Sequence, residues 1–165
     1  MKTIELIVPC YNEESCISLF YDRIKEVFLN MPGCEFIITF VDDGSKDNTI
    51  QEIKKVVERV DTGKVQYISL SRNFGKESAM YAGLSKSVGD YVAVMDADLQ
   101  HPPELLKKML DAIENEGYDC ASARRVSRKG DPLIKSVLSR AFYHVINHVT
   151  VIDLVPGSTD YRLMK

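Results

Sequence analysis

Five short apolar runs alternate with longer segments of helical periodicity along this chain, and that alternation most narrows what it can fold into. The runs Ile4–Cys10, Glu35–Val41, Val65–Leu70, Tyr91–Met95 and Asp119–Ala123 are rich in Val, Ile, Tyr or Phe and predict strands. Between and after them, helices are predicted at about Glu13–Leu29, Asp47–Val60, Lys76–Ser87, Pro103–Glu116 and Pro132–Val149. Ser45 or Asp47 would cap the second helix, and Pro102 and Pro103 suit the first turn of the fourth. Successive β–α units of this kind build an α/β fold on a mostly parallel sheet.

With 165 residues and 45% hydrophobic content, one core can form and two would be cramped. No linker, low-complexity tract or repeat interrupts the pattern, so residues 1–165 are expected to be a single domain. A formal charge of −3 offers no chain-wide basic field for nucleic acid, and an anionic ligand must be held locally. The four cysteines, Cys10, Cys16, Cys34 and Cys120, form no CxxC pair and sit among apolar neighbours, as reduced thiols do. Neither a signal-peptide pattern nor a run near the roughly 18 apolar residues of a membrane span is present. The chain reads as soluble, and its abrupt end at Leu163, Met164 and Lys165 suggests the N-terminal part of a longer protein.

In open α/β sheets, ligands sit outside the carboxyl ends of the strands, and here those positions are polar. Pro9, Tyr11, Asn12 and Glu13 follow the first run, Asp42 and Asp43 the second, Arg72 and Asn73 the third, and Asp96, Ala97, Asp98 and Gln100 the fourth. If the fourth strand continues through Asp96 and Asp98, both carboxylates point to one side, where a divalent cation would relieve their repulsion. Gln100 could add a neutral oxygen, and an all-oxygen set suits Mg²⁺ or Mn²⁺ better than zinc. The plainer reading is an acidic loop capping the next helix. Asp42 and Asp43 stand where an acidic residue of a Rossmann-like fold reaches a ribose or base edge, although Asp-Gly-Ser also favours a turn. No GxGxxG follows the first strand, and Gly75-Lys76 lacks the rest of a P-loop, which argues against NAD, FAD or ATP hydrolysis.

Taken together, Val8-Pro9-Cys10-Tyr11-Asn12-Glu13-Glu14, Val41 to Thr49, Ser71-Arg72-Asn73-Phe74-Gly75-Lys76 and Met95 to Pro103 resemble the family 2 glycosyltransferases. Within these they look most like the polyprenyl-phosphate type, the bactoprenol glucosyltransferases and dolichyl-phosphate mannose synthases. The resemblance covers essentially the whole chain. It implies the GT-A fold, a Rossmann-like three-layer sandwich, and an inverting, metal-dependent transfer of a hexose from a nucleoside-diphosphate sugar, UDP-sugar favoured. By matching position, Pro9, Tyr11, Asn12, Glu13, Asp42, Asp43, Arg72, Lys76, Asp96 and Ala97 would contact the donor, with Asp42 facing the base. Asp98 and Gln100 would hold the metal. Asp160, in Ser158-Thr159-Asp160-Tyr161-Arg162-Leu163-Met164, matches the family's candidate base, so Asp96, Asp98 and Asp160 make up the catalytic set.

A lipid phosphate is already ionised, whereas a hydroxyl acceptor needs a base. Arg124, Arg125, Arg128, Lys129, Lys135 and Arg140 concentrate positive charge after the fifth strand, with Asp131 the one acid among them. Arginine forks suit phosphate oxygens, which makes Arg124, Arg125 and Arg128 the expected acceptor-phosphate contacts. The following segment carries an apolar stripe and a basic side, either a core-packing helix or one lying on an anionic membrane. His144 and His148, without a carboxylate partner, do not make a zinc site. The resemblance leads to membrane-spanning helices beyond Lys165, a location on the cytoplasmic side of the plasma membrane, and room for a homo-oligomer. Transfer to a carbohydrate hydroxyl in a cell-wall or capsular polysaccharide and a non-catalytic nucleotide-sugar-binding module are the competing readings.

Overall fold

The computed structural model describes residues 1–124 and 158–165. Its elements run β1 (Lys2–Cys10), α1 (Ile17–Leu29), β2 (Cys34–Asp42), α2 (Thr49–Arg59), β3 (Lys64–Ser69), α3 (Lys76–Leu84), β4 (Tyr91–Val94), α4 (Leu105–Glu116), β5 (Cys120–Arg124) and β6 (Ser158–Met164). All five predicted strands and the first four helices are present. The helix predicted at Pro132–Val149 lies outside the described residues.

The strands form one sheet in the order β3-β2-β1-β4-β6-β5. β1 pairs in parallel with β2 and β4, and β2 with β3. β6 runs antiparallel to both β4 and β5. The sequence reading lacks this sixth strand, which separates the last two predicted ones. Its pattern is nonetheless that of a strand: Tyr161 and Leu163, two apart, are buried in the core.

β1 is covered on both faces, which is why it reads as a continuous apolar run. Ile4, Leu6 and Val8 join the core under α1, α2 and α4, while Ile7 turns the other way, with Val41, Val94 and Ala79 of α3. Three layers result. Glu5, on the Ile7 side, is fully buried and well satisfied: its carboxylate accepts from Thr39 Oγ1 at 2.6 Å, Gln66 Nε2 at 3.3 Å, and the N–H groups of Val88 at 2.7 Å and Gly89 at 3.2 Å. Among the described residues, no helix is long and apolar enough to cross a membrane.

Three predicted helices start later than the sequence suggests, α4 at Leu105 rather than Pro103 among them. α1 begins at Ile17 rather than Glu13 because Asn12 adopts φ 56° and the N–H groups of Glu13 and Glu14 donate elsewhere, to Thr49 Oγ1 at 2.8 Å and Asp47 Oδ2 at 3.2 Å. α2 begins at Thr49, whose N–H and hydroxyl both donate to Asp47 Oδ1, at 3.0 and 2.5 Å.

Candidate active site

Strand order reverses between β1 and β4, since β2 lies on one side of β1 and β4 on the other, and a crevice is expected beyond that point. A cavity of about 350 Å³ opens there. β1 and its loop contribute Pro9, Cys10, Tyr11 and Glu13, and the end of β2 contributes Asp43. The β3–α3 loop and the first turns of α3 bring Asn73, Gly75, Lys76 and Ala79, and the chain after β4 brings Asp96, Ala97 and Asp98. The four post-strand polar runs singled out in the sequence therefore converge on one place.

Loop-to-loop bonds build the walls. Asn12 N–H donates to Ser45 Oγ at 3.0 Å, and Asn12 Oδ1 accepts the N–H of Lys46 at 2.8 Å. Glu14 Oε2 accepts both the backbone and the side-chain N–H of Asn48, at 2.9 and 3.0 Å. On the other side, Asp43 accepts the N–H groups of Phe74 and Gly75. Gly44 completes this contact: its φ is +68°, and a Cβ there would stand 2.5 Å from the backbone carbon of Arg72. Only glycine fits so close a crossing of the β2–α2 and β3–α3 loops.

Several assigned residues are placed differently from the sequence reading. Asp42 is buried and does not border the cavity; its carboxylate accepts from Ser45 N–H at 3.1 Å and Ser69 Oγ at 3.3 Å. Asp43, the next residue, lines the cavity instead. Asn12 serves the loop junction described above, and Arg72 lies over the Phe74 ring at 4.8 Å; neither borders the cavity. The extended run through Asp96 and Asp98 is not formed: β4 stops at Val94, Ala97 and Asp98 form a turn, and Leu99 has φ 56°. The cause is local. Asp98 Oδ1 accepts the N–H of Gln100 at 3.0 Å, an Asx turn that competes with extended backbone. Both carboxylates still border the cavity, whereas Gln100 does not. Asn73 borders it too, and its position just after the third strand was the signal for it.

β6 adds a residue from the far end of the chain. Val92 pairs with Met164, Ala93 with Leu163 and Val94 with Arg162. Continued by two residues, this register sets Asp160 across from Asp96. Lys76 lies between them: its Nζ is 2.7 Å from Asp96 Oδ1, and it donates to Asp160 Oδ2 at 3.1 Å. Partial burial disfavours the ammonium, but the hydrogen bonds it donates to Asp96 and Asp160 outweigh that, and the Lys76 pKa is raised above its ordinary value. Burial, helped by the nearby Glu13 and Asp42, raises the Cys10 thiol well above its usual range, so it stands in the wall as an inert neutral group. Arg124 ends β5 opposite Ser158, on the same edge of the sheet. Arg125 and Arg128 lie outside the described residues.

The donor set suits a hard cation: the exposed Asp98 carboxylate accepts from no side chain among the described residues and opens on the cavity. Among the described residues no group of three or more His, Cys, Asp or Glu could hold a metal by protein ligands alone.

The family model described as glycosyl transferase family 2 matches residues 5–163. The sequence is 44% identical over 162 residues to CsbB of Bacillus subtilis (strain 168), covering 98% of this chain and 48% of that protein. It is 36% identical over 162 residues to the bactoprenol glucosyl transferase of Shigella phage SfX, covering 98% of this chain and 52% of that one. The chain thus spans about half the length of the curated relatives it matches. Among solved structures, residues 1–349 of S. aureus TarS in complex with UDP match with a TM-score of 0.63 at 25% identity, over 81% of this chain and 38% of that one. The architecture is that of the GT-A glycosyltransferases, as the sequence resemblance implies.

Proposed function

The chain belongs to glycosyl transferase family 2, and from that premise we propose that it binds a nucleoside-diphosphate sugar, UDP-sugar first, and transfers the hexose to a polyprenyl phosphate. The observation that carries this reading is the convergence of Tyr11, Asp43, Lys76, Asp96 and Asp98 on one cavity at the switch point of the sheet. The UDP held by TarS and the acceptor in the name of the phage relative support the choice of donor and acceptor.

Within the cavity the half-exposed Tyr11 ring offers an apolar face to the base. Asp98 would hold Mg²⁺ or Mn²⁺, with diphosphate oxygens and water filling the rest of the shell, since these ions bind through one or two carboxylates plus substrate phosphates. When bound, the cation neutralises charge on the departing diphosphate. Asp160 reaches the cavity rim beside Asp96, on the side where β6 and the Arg124 end of β5 would receive the acceptor. A lipid phosphate arrives ionised and needs no base, so Asp160 then only positions the groups around it; a hydroxyl would need Asp160 as base. In the intact protein, association with the membrane surface brings that acceptor within reach.

Calorimetric titration with UDP, in Mn²⁺ and again in EDTA, tests the reading. Binding that strengthens with Mn²⁺ is expected. Metal-independent binding, or none, would overturn it.

A further inference from the structure

A cation sits where the fold disfavours one. Lys76 is the first residue of α3, and the partial positive charge of a helix N-terminus opposes a lysine in the first turn. Its stem is half-buried and its ammonium is committed to two carboxylates from two other elements, Asp96 after β4 and Asp160 on β6. Asp160 lies on β6 and Asp96 two residues past the end of β4, the strand β6 pairs with, and two carboxylates held on one ammonium repel unless that cation lies between them. Asp160 is exposed, and among the described residues its carboxylate has no other hydrogen-bond partner.

We infer that Lys76 is a positioning residue that ties Asp160 to Asp96, holding the acceptor-side carboxylate of β6 against the donor cavity. The inference rests on the proposed transferase reading. It also departs from the expectation that Lys76 simply contacts the nucleotide, because its ammonium donates to both acids. Because a lysine on a flexible stem acts as a point charge, arginine should replace it in part.

The test uses the intact protein and the variants Lys76→Met, Lys76→Arg, Asp160→Asn and Lys76→Met with Asp160→Asn. Three quantities are read: UDP affinity in Mn²⁺, transfer of glucose from UDP-glucose to bactoprenyl phosphate, and amide hydrogen exchange at residues 159–161. Lys76→Met should lower turnover by about 100-fold, the scale on which misplacing a positioning group by about 1 Å acts. UDP affinity should fall by much less than turnover, and exchange at residues 159–161 should quicken. The double variant should lose no more than the worse single one, because both changes break the same tie, and Lys76→Arg should recover part of the turnover. UDP affinity that falls in step with turnover, losses that multiply in the double variant, or unchanged exchange would each overturn the tie while leaving the transferase reading intact. A wild-type protein that neither binds UDP nor transfers would overturn that reading and this inference with it.

Discussion

The Asp43 carboxylate reaches across to the β3–α3 loop and accepts the N–H of Phe74 at 2.8 Å through Oδ1, while Oδ2 takes that of Gly75 at 2.9 Å. The acid is buried, and Gly75, one of the two donors, belongs to the cavity wall. Asp43→Ala leaves two backbone donors without a charged acceptor, which should cost about 2–3 kcal/mol by urea denaturation. UDP affinity should drop as well, because the wall is no longer held. Asp43→Asn keeps one acceptor oxygen and should lie between the two; an unchanged urea midpoint in Asp43→Ala would show that the loop does not depend on this bond.

Asp98 should behave in the opposite way. Its side chain is exposed and, among the described residues, bonds only to the N–H two residues on, so Asp98→Ala should shift stability by no more than about 0.5 kcal/mol. The difference between UDP titrations in Mn²⁺ and in EDTA should disappear. A variant that retains the full metal effect would place the cation elsewhere.

Much of this site could be read from residue order alone, because β–α alternation decides which loops meet at the carboxyl edge of the sheet. The convergence of Tyr11, Asp43, Lys76 and Asp96 follows from that rule. What escaped is less local. Nothing near Ser158 reveals that its strand enters between β4 and β5, since that depends on pairing between distant segments. The turn at Asp98 escaped for the reverse reason: although the residue borders the cavity as expected, its own bond to the N–H of Gln100 overrides the alternation that extended backbone would impose. Between Asp42 and Asp43, neighbours on a strand point to opposite faces, and only packing decides which acid meets the cavity.

The proposed acceptor contacts can be separated from the donor cavity by substitution. Arg124 stands at the end of β5, opposite the start of β6 and away from the cavity lining. Replacing Arg124, Arg125 and Arg128 with alanine should therefore raise KM for bactoprenyl phosphate and leave UDP affinity unaltered. A parallel loss of UDP binding in calorimetry would assign these arginines to the donor instead.

The layer that carries Lys76 also sets a limit on substitution. A Cβ on Gly83 of α3 would stand 2.3 Å from Ile7 Cγ2 and 3.1 Å from Val41 Cγ2, both on fully buried side chains of the central strands. A β-branched residue in a parallel strand has little rotamer freedom with which to withdraw, so the helix must move away. Gly83→Ala should accordingly cost about 1–3 kcal/mol despite the better helix propensity of alanine. Because α3 starts at Lys76, the same displacement should lower turnover. Ile7→Leu removes the Cγ2 branch and, combined with Gly83→Ala, should restore part of both. Additive losses in that double variant, measured by urea denaturation, would mean that the clash is relieved elsewhere and that the seat of α3 on β1 does not set the position of Lys76.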